Sequence, residues 1–347
     1  MGKARFDRVA AGQAEERSLI NLRASPMVAR TVVRAVDEAR RTLLREAEEL
    51  FAQYAREGGF ATPALARAYL QTPLSPNEEA VLMRAIAKLP EAKRRPYLVR
   101  LSSPAYRYRI SHRQALAEAT RIEGQRLAGN LRARVGPLLR ERAADSFGRG
   151  YFGLQMGLDA GWSVTMPPRR ALDALVKGTF TLVGVDKAGP GYTEDVQRAI
   201  LKGMLEGKPL SAIGQYVNET TKERDLGRAT AFARTAVTAV CNEGEQAALR
   251  DAGIDRYVYI ATLDEKTCPV CGALDGKVFN VADGEAGTNL PPMHQNCRCT
   301  HAAALTAEAM RGLQRRGRDA SGKTVTVPMD TTYSEWKVKF YPDGTGD

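Results

Sequence analysis

Apolar residues recur at helical spacing along the first half of the chain, and proline or glycine interrupts them at intervals. In the first long run, Ser25 and Pro26 have the chemistry of a helix start, and Gly58-Gly59 has that of a helix stop. The pattern between them predicts a helix of about 31 residues. Its apolar positions, which recur about every 3.5 residues, are Val32, Val36, Leu43, Ala47, Leu50 and Tyr54.

Shorter helices and a second long helix are predicted to follow. Ser75 and Glu78 have the spacing of a capping box, in which each side chain accepts a hydrogen bond from the other residue's backbone N–H. Ser111 can cap the second long helix, whose pattern restarts at Pro137. We therefore expect residues 1–160 to form an arginine-rich, elongated helical bundle or arm. The apolar positions of the second long helix are Ala115, Ala119, Ile122, Leu127, Leu131 and Val135.

Three further helices are predicted within residues 193–252, and a strand follows them. Thr193 is expected to cap the first, which ends near residue 206, and Pro209 precedes the second. The third extends over about residues 226–252, where small apolar residues form a buried stripe. Residues 256–261 (RYVYIA) alternate and are rich in β-forming side chains, which predicts a strand.

Two segments near the end of the chain also alternate. They are KTVTVPM at residues 323–329 and SEWKVKFYP at residues 334–342. As strands they could pair in a local hairpin, or each could add to the sheet edge of a partner. The expected fold class is α+β and predominantly α. It comprises a helical half (1–160), a three-helix unit with a zinc-knuckle β module (161–305) and a basic patch with a β tail (306–347).

The positive charge is confined to the first half of the chain. The 347 residues carry a formal net charge of +11. Residues 1–150 hold 28 Lys and Arg against 16 Asp and Glu, or +12, and residues 151–347 hold 23 against 24, or −1. Arginine binds phosphate or carboxylate with two parallel hydrogen bonds. The charge predicts a polyanionic partner, either nucleic acid or an acidic protein face, although a solvated arginine-rich surface has the same composition.

Residues 92–117 are the first candidate for this contact because they contain no acid. Three tyrosines stand among their basic residues, and aromatic rings can stack on bases beside a bound phosphate backbone. A second basic patch lies beyond residue 306. The polyanion-binding residues predicted from the two segments are Lys93, Arg94, Arg95, Arg100, Arg107, Arg109, Arg113, Arg311, Arg315, Arg316 and Arg318.

Four of the five cysteines fall within residues 268–299. Cys268 and Cys271 form a CxxC pair followed by Gly272, which we expect to supply the positive φ of a turn that points both thiolates at one ion. Further along, the segment PPMHQNCRC supplies a second pair of ligands. This arrangement predicts a zinc site rather than a disulfide or a redox pair.

The sequence leaves three possible compositions for the second ligand pair. It can be His294 with Cys297, His294 with Cys299, or Cys297 with Cys299. We predict that Cys268, Cys271, His294 and Cys297 bind zinc, with Cys299 as the alternative ligand. Four protein ligands leave no coordination position for a catalytic water, so the predicted zinc is structural.

The two other histidines and Arg234 are expected to have structural, not catalytic, roles. His301 is a poor further ligand, and His112 is expected to be solvated or to contribute to the helix start after Ser111. Arg234 is expected to form an ion pair or to bind a carbonyl group. The sequence contains no nucleophile-elbow motif and no HExxH motif, so it predicts a protein without enzymatic activity.

The order of these motifs resembles the Mu F-like minor head proteins of tailed phages, the phage head morphogenesis family. The resemblance covers about residues 172–304. Ala236 departs from the family pattern, in which a glutamate often follows Arg-Thr. The segments that carry the resemblance are ART at 233–235, DEKTCPVC at 264–271, LDGKVF at 274–279 and PMHQNCRC at 292–299.

The resemblance implies a virion component that associates with the portal protein and the major capsid protein, and that helps head assembly or genome delivery. It implies a location in the head interior or at the portal vertex, and in the host cytoplasm during assembly. The arginine-rich half adds packaged double-stranded DNA as an expected partner. No apolar run is long enough to span a membrane, so no membrane partner is expected.

Two other functions fit parts of the sequence. A zinc-dependent nuclease acting on phage DNA would have water in place of one cluster ligand. A zinc-ribbon nucleic-acid-binding protein would bind through the module itself. Residues 251–300 carry 4 basic against 7 acidic residues, or −3, which disfavours that second function. The sequence favours a minor head protein with structural zinc.

Overall fold

Helices dominate the computed structural model, which describes residues 2–102, 110–158, 165–304 and 314–341. About 69% of the chain is helical, and the strands are few, small and antiparallel. This confirms the prediction of a predominantly helical protein with a minor β component. Within the described residues the helices are α1 (Gly2–Leu50), α2 (Ala52–Arg56), α3 (Pro63–Gln71), α4 (Pro76–Ala87), α5 (Glu91–Ser102), α6 (His112–Leu158), α7 (Arg169–Leu182), α8 (Val185–Leu205), α9 (Leu210–Asp251), α10 (Pro269–Leu274) and α11 (Tyr333–Phe340).

The long helices extend further than their sequence signals predict. The predicted start of α1 at Ser25-Pro26 is wrong, because the helix runs through Pro26 without a break. Ala24 and Val28 are both buried, so packing continues on either side of the proline and outweighs the lost backbone hydrogen bond. The predicted helix stop at Gly58-Gly59 is present, although it ends α2 and not α1: the two glycines follow α2 with φ of 68° and 103°.

Helices α8 and α9 also differ from the prediction. Thr193 lies inside α8, where its hydroxyl donates to the Pro190 carbonyl oxygen at 3.0 Å instead of capping a helix start. The two helices expected after Pro209 form the single helix α9. The polar stretch between them stays helical because Thr221 donates to the Val217 carbonyl and the buried Asp225 pairs with Arg40.

The chain divides into two compact units that each combine distant stretches. One consists of Arg30–Arg134 and Gly184–Ala229 and is called the helical unit below. The other consists of Met1–Ala29, Val135–Val183 and Thr230–Asp347 and is called the mixed unit. The boundaries of these two units differ from the domain boundaries predicted at residues 160 and 305.

The helical unit has one large apolar core. The apolar positions predicted between Val32 and Tyr54 and between Ala115 and Val135 are all buried, whereas Phe152, in the continuation of that pattern after Pro137, is exposed. His112 also belongs to this core: it is buried, its ring lies 4.2 Å from that of Tyr69, and its Nε2 lies 3.3 Å from a Glu78 carboxylate oxygen. The expectation of a solvated His112 is therefore wrong. Ser111 caps α6 as predicted, since it accepts a hydrogen bond from the Gln114 N–H.

Two helices of this unit approach each other closely at glycines. A Cβ on Gly189 of α8 would collide with the Gly124 carbonyl oxygen of α6 and would lie 3.0 Å from the Ala128 nitrogen. A Cβ on Gly124 would in turn lie 2.9 Å from the Pro190 Cα. These neighbours are backbone atoms, which cannot move aside as a flexible side chain can. Gly191, two residues further along α8, has no atom within 4 Å of its Cβ position.

We expect Gly189→Ala to destabilise the protein by about 1–3 kcal/mol, because it overpacks a backbone contact. The matched change Gly191→Ala should stabilise it by up to about 1 kcal/mol, because alanine favours the helix more than glycine and the site is open. Urea unfolding followed by circular dichroism measures both free energies. Equal effects of the two changes would contradict the close approach of α6 and α8.

The mixed unit contains the strands. β1 (Arg256–Ile260), β2 (Val278–Asn280) and β3 (Thr300–Ala303) form an antiparallel sheet in the order β2-β1-β3. Tyr257 pairs with Phe279 on one side and with Ala303 on the other. The strand predicted at 256–261 is present as β1. Between β1 and β2, the chain forms α10 and the turn at Gly276 (φ 77°).

A hairpin near the end of the described chain differs from the one predicted. β4 (Gln314–Arg318) pairs with β5 (Thr324–Pro328), whereas the second predicted strand, SEWKVKFYP, lies mostly in α11. Thr332 and Glu335 form a capping box at the start of that helix. Tyr333 and Trp336 lie one turn apart and are both buried, so helical spacing rather than alternation places the apolar groups inside. Among the described residues, no helix combines the length and apolar character needed to span a membrane.

Candidate metal centre

The CxxC pair is positioned by the start of α10. Cys268 is the N-cap residue of this helix, and its sulfur accepts a hydrogen bond from the Cys271 N–H at 3.4 Å. The prediction that Gly272 supplies a positive φ is wrong, because Gly272 lies within the helix. Glycine is needed there for another reason: a Cβ would collide with the Tyr333 ring, whose Cε1 atom would be 2.8 Å away. Tyr333 belongs to α11, so this close contact joins the end of the chain to the CxxC helix.

The second set of candidate ligands lies on the segment that leads into β3. The Nδ1 atom of His294 is 2.8 Å from the Gln295 carbonyl oxygen, which accepts its proton and leaves the Nε2 lone pair facing the thiols. Asn296 has a φ of 69°, a left-handed conformation that asparagine adopts more readily than most residues. The turn at Asn296 brings Cys297 back toward Cys271.

The candidate ligand atoms lie close to Cys271 on two sides. His294 Nε2 lies 3.2 Å from Cys268 Sγ and 3.4 Å from Cys271 Sγ, and Cys297 Sγ lies 3.9 Å from Cys271 Sγ. For tetrahedral zinc, the usual bond lengths imply about 3.8 Å between two sulfurs and about 3.5 Å between sulfur and nitrogen. The donor types and separations therefore suit a zinc ion.

Cys271 is shared between two overlapping groups of donors. The donor atoms of Cys268, Cys271 and His294 lie within 4.8 Å of one another, and so do those of Cys271, Cys297 and Cys299. Cys271 is thus the residue common to both groups. The composition of the second ligand pair stays open among His294, Cys297 and Cys299.

The thiols of the second group ionise unequally. Hydrogen bonds from Cys271 and Cys299 lower the pKa of Cys297 to about 2. The pKa of Cys271 is raised, mainly because its proton is held by hydrogen bonds with Cys297 and Cys299. The Tyr259 hydroxyl also donates to Cys271 Sγ at 3.3 Å, and burial raises the pKa of this tyrosine. These directions place the proton on Cys271 in preference to Cys297, and a bound cation would release the protons of its thiol ligands.

Helix α9 holds the ligand loop through a buried polar stripe. Thr235 accepts a hydrogen bond from the Asn296 N–H at 2.7 Å, and Thr238 donates to the Cys297 carbonyl at 3.1 Å. One turn further, Asn242 Oδ1 is 2.8 Å from His301 Nδ1, so His301 is directed at α9. Gln246 continues the stripe by donating to the Val281 carbonyl at 3.0 Å. The apolar periodicity of α9 predicts only its apolar stripe; the polar stripe, with a spacing of 3 to 4 residues, is also visible in the sequence.

Arg234 has a structural contact of the kind expected. Its Nη1 donates to Asn296 Oδ1 at 2.5 Å, so Arg234 and Thr235 both bind the residue with the positive φ. Burial and the positive charge of Arg298 lower the pKa of Arg234. The expected carbonyl contact is therefore to an asparagine side chain.

Two aspartates of the motif segments bind arginines across the module. Asp264 accepts two hydrogen bonds from Arg298, the residue between Cys297 and Cys299, one of them at 2.7 Å. Asp264 Oδ1 also accepts the Lys266 N–H at 3.0 Å, which shapes the turn before the CxxC pair. These contacts tie the turn before the first ligand pair to the segment of the second.

Asp275 is the centre of a larger buried network. Its carboxylate is fully buried and accepts the Ala261 N–H at 2.7 Å and the Tyr333 N–H at 2.8 Å. Arg315 of β4 completes the network: its guanidinium binds both Asp275 oxygens, and it also donates to the Ala261 and Thr331 carbonyls. The network joins β1, α10, β4 and α11.

Arg315 therefore does not belong to an exposed basic patch, contrary to the prediction. Its side chain is only 9% exposed and its hydrogen-bonding groups are turned toward Asp275. Arg316 and Arg318, which alternate with it on β4, are exposed. The local sequence QRRGR contains three arginines, and the contact with the distant Asp275 distinguishes Arg315 from the other two.

The remaining polyanion candidates are placed as follows. Lys93, Arg95 and Arg113 are exposed, and Arg94 is half-buried with its Nε donating to the Leu89 carbonyl. Arg107, Arg109 and Arg311, and the side chain of Arg100, lie outside the described residues. The assignment of these residues to a polyanion remains a prediction.

Comparison with known proteins confirms the family resemblance. Residues 194–302 match the family described as Phage Mu protein F like protein, and this Mu F-like segment contains α9 and the whole candidate metal centre. The family is one of phage head morphogenesis proteins. An uncharacterized protein of Haemophilus influenzae is 28% identical over 156 residues, which is 44% of this chain and 34% of the relative. The chain thus aligns with about a third of that relative's length. No solved structure matches the chain.

Proposed function

We propose that the protein is a minor structural component of the head of a tailed phage, acting by binding rather than catalysis. The observation that carries this proposal is the Mu F-like match over residues 194–302. The motif segments of the resemblance supply the CxxC helix, the ligand loop, the contact of Asp264 with Arg298, and Asp275, whose arginine partner Arg315 comes from β4. These motif residues thus build and brace one module, which is a structural task.

We further propose that this module holds a structural zinc ion, bound by Cys268, Cys271, His294 and Cys297, with Cys299 as the alternative fourth ligand. The metal would supply a cross-link between the start of α10 and the loop before β3. The protein supplies the rest of the site: α9 fixes the loop backbone, and the Gln295 carbonyl orients His294. Four protein ligands leave no place for a reacting water, which supports a structural site.

The proposed partners are the portal protein, the major capsid protein and packaged double-stranded DNA. The first two follow from the family and the third from the charge of the first half of the chain. Lys93, Arg95 and Arg113 remain exposed and suit contacts with phosphate. The location proposed is the head interior or the portal vertex, reached from the host cytoplasm during assembly.

Quantitative mass spectrometry of purified phage particles tests this proposal. We expect a few copies of the protein per particle, and loss of these copies after genome ejection would indicate delivery with the DNA. The variant Cys271→Ser should be depleted from particles, whereas Cys241→Ala, at a buried cysteine outside the cluster, should be incorporated normally. Absence of the native protein from particles and assembly intermediates would overturn the proposal, and metal-dependent DNA cleavage by the purified protein would favour a nuclease instead.

A further inference from the structure

The helical unit contains a polar cleft between α1 and α6 that none of the sequence motifs indicates. Its volume is about 350 Å³. Arg41 and Arg45 lie one turn apart on α1, with Thr42 between them, and Arg126 and Asn130 lie one turn apart on α6. Two rows of hydrogen-bond donors therefore line the cleft, together with the carboxylates of Glu38 and Glu123.

The acids near this cleft are already paired. Glu38 binds Arg134 at 2.7 Å, and the buried Glu123 binds Arg126 at 2.5 Å. Glu46, which is also buried, lies 3.4 Å from the Lys88 ammonium. Burial raises the pKa of Glu123 to about 7 and also raises that of Glu46, whereas the hydrogen bond from Arg134 lowers the pKa of Glu38, so the negative charge that remains in the lining is on Glu38, paired with Arg134.

Arg41 and Arg45 are left with unused donors. Neither makes a hydrogen bond or an ion pair with any residue that the structure describes, and both are exposed. Two like charges four residues apart on a helix repel each other. An anion in the cleft would remove this repulsion and accept hydrogen bonds from both guanidinium groups.

The geometry points to a phosphate-binding site: we propose that Arg41, Arg45 and Arg126, with Asn130 and Thr42 as neutral donors, bind a phosphoryl group. Guanidinium groups bind phosphate oxygens in a bidentate manner, and the neutral donors can satisfy the remaining oxygens. The group can be a phosphodiester of nucleic acid or a free phosphate, since both present the same oxygens. The site lies in the helical unit, outside the Mu F-like zinc module. With nucleic acid as the ligand it deepens the proposed DNA contact of the first half of the chain and rests on that proposal, while binding at the site depends on neither zinc nor particle assembly.

Binding by the full-length purified protein tests the site with two probes, inorganic pyrophosphate by calorimetry and a mixed-sequence DNA duplex by fluorescence anisotropy over a salt series. The double variant Arg41→Gln/Arg45→Gln should weaken binding of the responsive probe by about tenfold or more. For the duplex, the slope of log affinity against log salt should fall by about 2, because two phosphate contacts are lost. Arg67→Gln on α3, an exposed arginine outside the cleft, serves as the control.

The two probes identify the source of the phosphate. Loss of duplex binding alone assigns the site to nucleic acid, and loss of pyrophosphate binding alone assigns it to a free phosphate. Failure of the native protein to bind either probe would overturn the proposal, as would an equal loss in Arg67→Gln.

Stronger binding of polyglutamate than of the duplex, abolished in the same double variant, would replace phosphate by an acidic protein. Unchanged thermal unfolding of the variants excludes misfolding as the cause, and none of these results depends on whether the protein enters phage particles.

Discussion

We expect the variant Cys271→Ser to lose both zinc binding and the folded state of the module at residues 256–303. Cys271 belongs to both groups of candidate donors, so its loss breaks both groups at once. Structural zinc contributes roughly 10–16 kcal/mol of binding energy that is available only to the folded chain. The small sheet of three short strands cannot offset such a loss with its own core.

Two measurements check this expectation. Elemental analysis of the native protein should give one zinc per chain, and of Cys271→Ser none. Hydrogen exchange should then show loss of protection in β1, α10 and β3, with protection retained in the core helices of the helical unit. Chelation of the native protein should have the same effect. Cys241→Ala is the matched control, since this buried cysteine lies on α9 away from the cluster. Native-like exchange in a zinc-free Cys271→Ser protein would contradict the metal's structural role.

The same measurements distinguish the two candidates for the fourth ligand. If Cys297 binds zinc, Cys297→Ser should lose the metal and Cys299→Ser should keep it. The 3.9 Å separation of the Cys271 and Cys297 sulfurs and the low pKa of Cys297 favour this result. The opposite result would assign Cys299, while the module and its family resemblance would remain as described.

The second large effect is expected at the buried network around Asp275. The change Asp275→Ala should destabilise the mixed unit by about 3–5 kcal/mol, because it leaves the Arg315 guanidinium buried without a counter-charge. It also leaves the Ala261 and Tyr333 N–H groups without their acceptor. Both consequences concern contacts between β4, α11 and the CxxC helix, so the end of the described chain should detach first.

Urea unfolding followed by tryptophan fluorescence measures this change, since Trp336 of α11 is fully buried beside Tyr333. Asp283→Ala, at an exposed aspartate of the same unit, is the control and should alter stability by about 0.5 kcal/mol or less. The double variant Asp275→Leu/Arg315→Met should recover part of the loss, because apolar side chains can replace a buried ion pair. A loss below about 1 kcal/mol in Asp275→Ala would show that the network is not needed for docking.

Several features of the candidate site could be predicted from local sequence. Spacing alone placed Cys268 and Cys271 on one turn, and the second pair lies opposite them. The capping of α6 by Ser111 and the strand at 256–260 were also recognised, since caps and alternation are local signals. These interactions involve residues within a few positions of each other, where backbone geometry limits the possibilities.

Other features depended on partners far along the chain. Arg315 lies among arginines that look alike in sequence, yet it alone pairs with Asp275, 40 residues away. Gly272 was assigned to a backbone turn, but the Tyr333 ring is what excludes a side chain there. The segment after Thr332 alternates like a strand, and it becomes a helix because its capping box and the burial of Trp336 outweigh that alternation.

The sequence by itself determined the predominance of helices, the apolar faces of α1 and α6, the candidate metal-binding residue types and the Mu F-like motifs. Each follows from periodicity or short spacing, which the covalent chain imposes wherever it folds. Tertiary structure decided which arginine is buried, which glycine is a packing site, where the long helices begin and which polar face of α9 holds the ligand loop. These four features depend on desolvation and on partners that come together only in the folded protein. A local sequence pattern therefore cannot predict them.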